Sequence, residues 1–323
     1  MRLGAAAVAS GALAATAAFT LLAPAGASTD SGTAAYHFRT LNNHRDVTFN
    51  QLLGINNNGV IAGYFGSGAQ GHPNKGYRLV KPYGQGSYRN ENFPGSTQTQ
   101  VTGLNDTGIT VGFWSTQNTA SMANNNFGFY ARNGHYHAVN FPTGDNASPQ
   151  VDQLLGVNDS GIAVGFYTNG QGSNRGFEYN INTHVFSRVS VPGAPGGTKA
   201  PSLTAAAINN NGTVAGFYVT SGGATDAFVK KANGRFIKIA FHGATMTQAF
   251  GINDNGEVVG AYTLGSGSTA TTHGFTWRGG HFTTVDDPHG VGTTFINGVN
   301  NAGDLVGFYT DSAGNTDGML ATP

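Results

Sequence analysis

The sequence predicts an all-β chain, a single six-bladed β-propeller of four-stranded antiparallel blades, and three observations predict it. A twelve-residue stretch, GINDNGEVVGAY at residues 251–262, has five further copies at 54–65, 103–114, 156–167, 207–218 and 298–309. Their leading asparagines, Asn56, Asn105, Asn158, Asn209, Asn253 and Asn300, lie 49, 53, 51, 44 and 47 residues apart, a period that marks a repeat architecture. Each period breaks into four short strand-like runs separated by turn residues. The two chain ends are complementary. The last copy stops after a third strand at 317–320, and the chain opens at 36–41 with a fourth strand that has no preceding three. Residues 38–56 and 282–300 have equal length and the same pattern, so the N-terminal strand is expected to complete the last blade and close the ring. A linear β-solenoid is the rival arrangement, with shorter rungs and no need for complementary ends.

The fifth copy shows each element. Residues 249–253 form the first strand, 254–256 the turn, 257–262 the second strand, 274–277 the third and 281–285 the fourth. Asn or Asp early in the first turn accepts from the backbone two residues on, and the glycine that follows adopts the left-handed region without steric cost. The strands are apolar on both sides, as in Val258-Val259 and Phe166-Tyr167, which suits a sheet sandwiched between two neighbours. The glycine of the second strand, as at Gly112 and Gly260, points to close backbone approach where blades crowd.

The repeat resembles the HAF-repeat group of bacterial extracellular proteins. The Gly-Ile-Asn-Asn-x-Gly-x-Val-Val-Gly core carries the resemblance, with the third-strand signature at Asp226-Ala227-Phe228, His273-Gly274-Phe275 and Asp317-Gly318-Met319. It covers nearly all of 36–323. The resemblance implies export and a repeat fold, and it carries no functional residue to this chain.

Residues 1–27 read as a secretory signal peptide: Arg2, an alanine-rich apolar run from Leu3 to Leu22, and a small-x-small cleavage site at Ala25-Gly26-Ala27. An uncleaved anchor is the alternative. Residues 28–35 are a polar lead-in and 36–323 the propeller, so a secreted protein is expected. Charged residues make up only 10% of the chain against roughly 25% in ordinary domains, and Lys+Arg equals Asp+Glu at 16 each. No basic field is available to hold nucleic acid, and no polybasic stretch for anionic lipid. Past the N-terminus no apolar run reaches the ~20 residues of a spanning helix, so no membrane association is expected of the mature form. The absence of cysteine excludes disulfides and thiolate metal sites. A monomer is expected.

Function is sought in the connections that differ between copies, those between strands two and three and those between blades, which leave the same side of the disc. Gln51, Gln100, Gln153 and Gln248 each stand five residues before the repeat asparagine, where a ring of amides would hydrogen-bond a sugar or peptide at the channel mouth; tying down an inter-blade loop is the structural alternative. His44-Arg45-Asp46 and Asp286-Asp287-Pro288-His289 occupy corresponding inter-blade loops and suit acid–base chemistry or a divalent ion such as Ca²⁺, although ordinary turn chemistry explains them too and no cofactor motif is present. Asp145 and Asp152 flank another such loop. His135 and His137 share one strand face, a metal-capable spacing without an evident third ligand. The G-x-G-x-x-G at 66–71 leads into a strand rather than a helix, so it is a loop and not a nucleotide cradle. No G-x-S-x-G or H-E-x-x-H occurs.

Two functions follow as expectations. The first is a binding module for an extracellular glycan or peptide, with Gln51, Gln100, Gln153, Gln248 and Arg45 as ligand-binding residues. The second is an extracellular hydrolase or lyase using His44, Asp46, Asp152, Asp287 and His289 at the channel mouth. A purely structural surface protein would have no site at all.

Overall fold

The computed structural model describes residues 36–118, 124–190 and 202–323. The expected signal peptide and lead-in therefore lie outside the described residues. The described residues form 24 strands and two short 3₁₀ turns. In chain order, β1 (His37–Thr40) precedes five consecutive four-strand meanders. These are β2 (Asn50–Ile55), β3 (Ile61–Phe65), β4 (Lys75–Leu79) and β5 (Tyr88–Asn90), then β6 (Gln98–Leu104), β7 (Ile109–Ser115), β8 (Phe127–Arg132) and β9 (His135–Val139). Next come β10 (Asp152–Val157), β11 (Ile162–Thr168), β12 (Asn174–Asn180) and β13 (Val185–Arg188), and β14 (Leu203–Ile208), β15 (Val214–Val219), β16 (Thr225–Lys230) and β17 (Phe236–Ile239). The fifth is β18 (Met246–Ile252), β19 (Val258–Leu264), β20 (Thr271–Arg278) and β21 (His281–Thr284), after which β22 (Thr294–Val299), β23 (Leu305–Thr310) and β24 (Thr316–Thr322) end the chain.

Hydrogen bonding joins these strands into five sheets, four of four strands and one of eight. The large sheet is two meanders bridged by a single parallel pair, Thr225 with Met246. β1 pairs antiparallel with β24, His37 opposite Thr322 and Thr40 opposite Met319, so the N-terminal strand does complete the last meander.

The repeat asparagine has two jobs. In the first turn Asn209 Oδ1 accepts from the backbone N–H of Asn211 (3.1 Å) and Thr213 (3.0 Å), which shapes the Asx turn expected from sequence. The same side chain's Nδ2 donates to the Asn253 carbonyl of the next copy at 2.9 Å. This second bond recurs around the molecule: Asn56 to Asn105, Asn105 to Asn158, Asn158 to Asn209, Asn253 to Asn300, and finally Asn300 back to Asn56 at 3.5 Å. The following residues form a parallel circuit. The backbone N–H groups of Asn57, Asp106, Asp159, Asn210, Asp254 and Asn301 each donate to the side-chain Oδ1 of the next member, and Asn301 returns to Asn57 at 2.8 Å.

Every innermost strand also carries a register shift at the same place, with Leu53, Thr102, Leu155, Ala206, Phe250 and Asn297 as the extra residue. All six line the central channel. The second-strand glycines are explained by contact. A Cβ on Gly63, Gly112, Gly165, Gly216, Gly260 or Gly307 would strike the backbone carbonyl of the residue five before the repeat asparagine. The apolar core is divided accordingly into wedges at the junctions between meanders. Ile109, Val111 and Tyr130 meet Leu154 and Phe177 at one, and Leu52, Ile61 and Leu79 meet Val306 and Leu320 at another.

Asn209→Ala removes three hydrogen bonds at once and is expected to cost about 2–4 kcal/mol in urea unfolding. Asn209→Asp keeps the turn acceptor but faces a carbonyl with a carboxylate, and it should be nearly as damaging. An Asp variant as stable as the wild type would show that the bond between copies contributes nothing.

Candidate functional site

The channel is too narrow to be the site. Leu53, Leu155, Phe217 and Phe250 crowd its middle, leaving a cavity of about 30 Å³, room for little more than one water. Phe217, Phe250, Phe295 and Phe308 pack together beside it. The four expected amides do not form an open ring around a mouth. Gln51 and Gln153 are buried, and Gln100 and Gln248 are each 8% exposed. Gln51 Oε1 accepts from the Tyr64 hydroxyl (2.7 Å), and Gln100 Nε2 donates to Asn74 Oδ1 (2.9 Å) in a neighbouring connection. Both amide atoms of Gln153 are buried without a partner among the described residues.

Of the expected acid–base residues, Asp46, Asp152, Asp287 and His289 are engaged locally. Asp46 accepts from Thr48 N (3.0 Å) and Oγ1 (2.6 Å), and its other oxygen pairs with His72 Nδ1 at 2.8 Å. Burial pushes its carboxyl up, but the Thr48 and His72 hydrogen bonds outweigh that and hold it below the usual carboxylate range. His44 and Arg45 are exposed beside it. Asp287 accepts from both the backbone N–H (2.9 Å) and Nδ1 (3.1 Å) of His289, while its Oδ2 is buried without a partner. Asp286 pairs separately with His273 Nδ1 at 2.7 Å. No bond joins the Asp46 and Asp287 pairs to each other. What sequence reasoning missed beside Asp287 is Asp317, whose carboxyl is pushed up by burial and by the nearby Asp311 and Asp287 charges, against hydrogen bonds from Asn42 and Tyr309. Among the described residues no three or more His, Asp or Glu side chains are grouped to hold a metal ion.

Asp152 is a loop clasp. Fully buried, it accepts from the Phe141 N–H (2.8 Å) and from Gln150 Nε2 (2.8 Å). Asn50, Thr99, Thr247 and Thr294 stand at the same place in other copies and accept from the N–H of Asn43, Phe93, Phe241 and Asp287. The role needs an acceptor oxygen and no charge.

The roomier concavity lies elsewhere. A cavity of about 450 Å³ opens between the β8–β9 and β12–β13 hairpins, lined by Tyr130, Arg132, Asn133, His135, His137, Ile181, Asn182 and His184. That volume lies in the range of small-molecule sites. In an antiparallel meander these hairpin turns share the side of the disc that bears the asparagine circuits, opposite the long loops favoured by the sequence. His137 stacks on Tyr130 with ring centroids 4.6 Å apart. His184, from the neighbouring meander, adds a third imidazole to the lining without forming a metal-ligating group, and its Nδ1 lies 2.8 Å from the Tyr179 hydroxyl. Burial, reinforced by Tyr130, raises the Tyr179 phenol above its usual range, so it stays protonated. His184 sits at φ +58°, where Gly134 and Gly280 occupy the corresponding place in two other copies. A non-glycine residue here is strained, and such strain gathers at functional sites. The signal in the sequence was a histidine at a turn position that neighbouring copies give to glycine.

No protein-family model and no curated protein sequence matches this chain. Among solved structures, AofleA from Arthrobotrys oligospora is similar over 91% of this chain and 88% of its own, at 12% identity and a TM-score of 0.50. A mutant of the Aleuria aurantia lectin in complex with α-methyl-L-fucoside is similar over 85% of this chain and 91% of its own, at 11% identity and a TM-score of 0.47. An ulvan lyase from a polysaccharide lyase family is similar over 82% and 77%, at 12% identity and a TM-score of 0.42. The likeness is one of fold: an all-β chain of four-stranded antiparallel sheets.

Asp152→Asn, which keeps the acceptor, is expected within about 1 kcal/mol of wild type at neutral pH, and Asp152→Ala to cost about 1–3 kcal/mol. Burial raises the Asp152 carboxyl despite the Gln150 and Phe141 hydrogen bonds. The folded state thus holds its proton more tightly, and its contribution falls as pH rises from the ordinary carboxylate value through the raised one. Wild type should therefore lose stability relative to Asp152→Asn as pH rises above the ordinary carboxylate range, as read by chemical denaturation. The opposite trend would mean that the carboxylate is favoured by the fold.

Proposed function

We propose that the chain is a six-bladed propeller, exported and active outside the cell, that binds a saccharide in the cleft between its second and third blades. The count of six follows from reading the eight-stranded sheet as two blades touching at one residue pair, and from six members in each asparagine circuit. Export is supported by the pattern of residues 1–27 and by the resemblance to the HAF-repeat group.

One observation carries the binding reading: His184 is held in a strained conformation against Tyr179, at the edge of a cavity large enough for a sugar. The side chains around it suit such a ligand. The stacked Tyr130–His137 pair offers a flat ring face at the cleft, while Asn133 and Asn182 bring amides that both donate and accept. Catalysis has less support, because the ionisable residues expected to act together are tied up in separate local pairs.

Binding is tested on a glycan array and then by titration calorimetry with the best hits. His137→Ala and Asn182→Ala should each weaken binding about tenfold or more, a loss of roughly 1.4 kcal/mol. Arg45→Ala, on the opposite side of the disc, should change nothing. His184→Gly relieves the strained turn, so it should unfold within about 1 kcal/mol of wild type while binding is lost. Equal affinity in all four variants would remove the cleft as the site.

A further inference from the structure

The charges around the cleft go further and select among saccharides. The β8–β9 hairpin contributes Arg132, His135, His137 and Tyr130, and the β12–β13 hairpin contributes His184 and, behind it, Tyr179. No carboxylate lines it. The nearest acids along these blades are occupied elsewhere. Glu178 faces Lys230 of the next blade at 3.6 Å, and Asp159 accepts Asp106 N–H and Asn210 Nδ2 in the turn circuit. Arg132 is exposed and has no ion-pair partner among the described residues. In a chain whose acids and bases balance at 16 each, one arginine and three imidazoles gathered without a counter-charge are a local departure.

Resting on the reading of this cleft as a saccharide site, we infer that its ligand is an anionic saccharide, one bearing a carboxylate or a sulfate. A guanidinium presents a planar fork of donors that matches a carboxylate or sulfate edge. The three imidazoles beside Arg132 add ring N–H donors to the same face. The Tyr179 hydroxyl, 2.8 Å from Nδ1, fixes the His184 ring at the edge of the cleft. His135, exposed at the rim opposite, has no such tie and is free to turn towards a ligand.

The experiment compares three oligosaccharides of one length on the full mature chain: a neutral one, a uronic acid one and a sulfated one. Calorimetry is run at neutral pH with ionic strength fixed. The expected result is binding of an acidic ligand about tenfold tighter than that of the neutral one. Arg132→Gln should remove the preference for the acidic ligand, bringing its affinity down to that of the neutral one. Uronic acid and sulfate arms separate the two sources of charge, because both stay ionised at neutral pH and differ in the anion they present. Neutral and acidic ligands binding alike, with both weakened by His137→Ala, would overturn this inference and leave the saccharide reading standing. Binding that ignores every cleft variant, or no binding to any of the three, would overturn both.

Discussion

The molecule depends on the bond from each repeat asparagine's amide nitrogen to the carbonyl of the next copy's asparagine. A turn residue that only shaped its own hairpin would leave each sheet free of its neighbours. Here one side chain sets the turn with its oxygen and reaches across with its nitrogen, so local geometry and assembly of the ring use the same amide. Aspartate would serve the turn equally well but offers no donor, which is why this position is asparagine in all six copies while the next one is Asn in three and Asp in three. That second position needs only an acceptor for its neighbour's N–H, and either residue supplies it.

Packing the inner strands closely has a consequence for where a ligand can go. The bulged residue of each strand turns into the channel, and with Leu53, Leu155 and Phe250 among the six little space is left at the axis. Room remains further out, where the sheets have splayed and the outer hairpins of adjacent sheets no longer touch along their full length. The β8–β9 and β12–β13 hairpins frame such a gap, and its walls carry rings, amides and positive charge rather than the Val, Leu and Phe found nearer the axis.

Much of the architecture was legible in the sequence because it repeats. Strand order, the turn chemistry and the completion of the last sheet by β1 could all be read from the spacing of Asn56 to Asn300 and from the equal lengths of 38–56 and 282–300. In the fifth copy the expected strands fall within a few residues of β18 to β21. The bulge was not legible. Leu53, Thr102, Leu155, Ala206, Phe250 and Asn297 share no chemistry, and only pairing with the second strand reveals them. The site was harder still. Asp152 looked catalytic as a lone carboxylate, yet Asn50 and Thr99 show its place to be a clasp position. His135 and His137 were visible as a pair, but His184 lies almost fifty residues on, and only the closing of one sheet against the next brings it to them.

The pairing of β1 with β24 reaches from His37 to Thr322, almost the whole described chain. A contact of such sequence separation forms late, because the entropy of closing so long a loop is met before the contact can reward it. Once formed, it places β24 between β1 and β23, so that strand is paired along both sides. Freeing the last strand of the described chain then means breaking two sets of pairings at once, one local and one between distant parts of the sequence. The sequence has no cysteine, so the two ends of the described chain are joined by strand pairing rather than by a covalent staple.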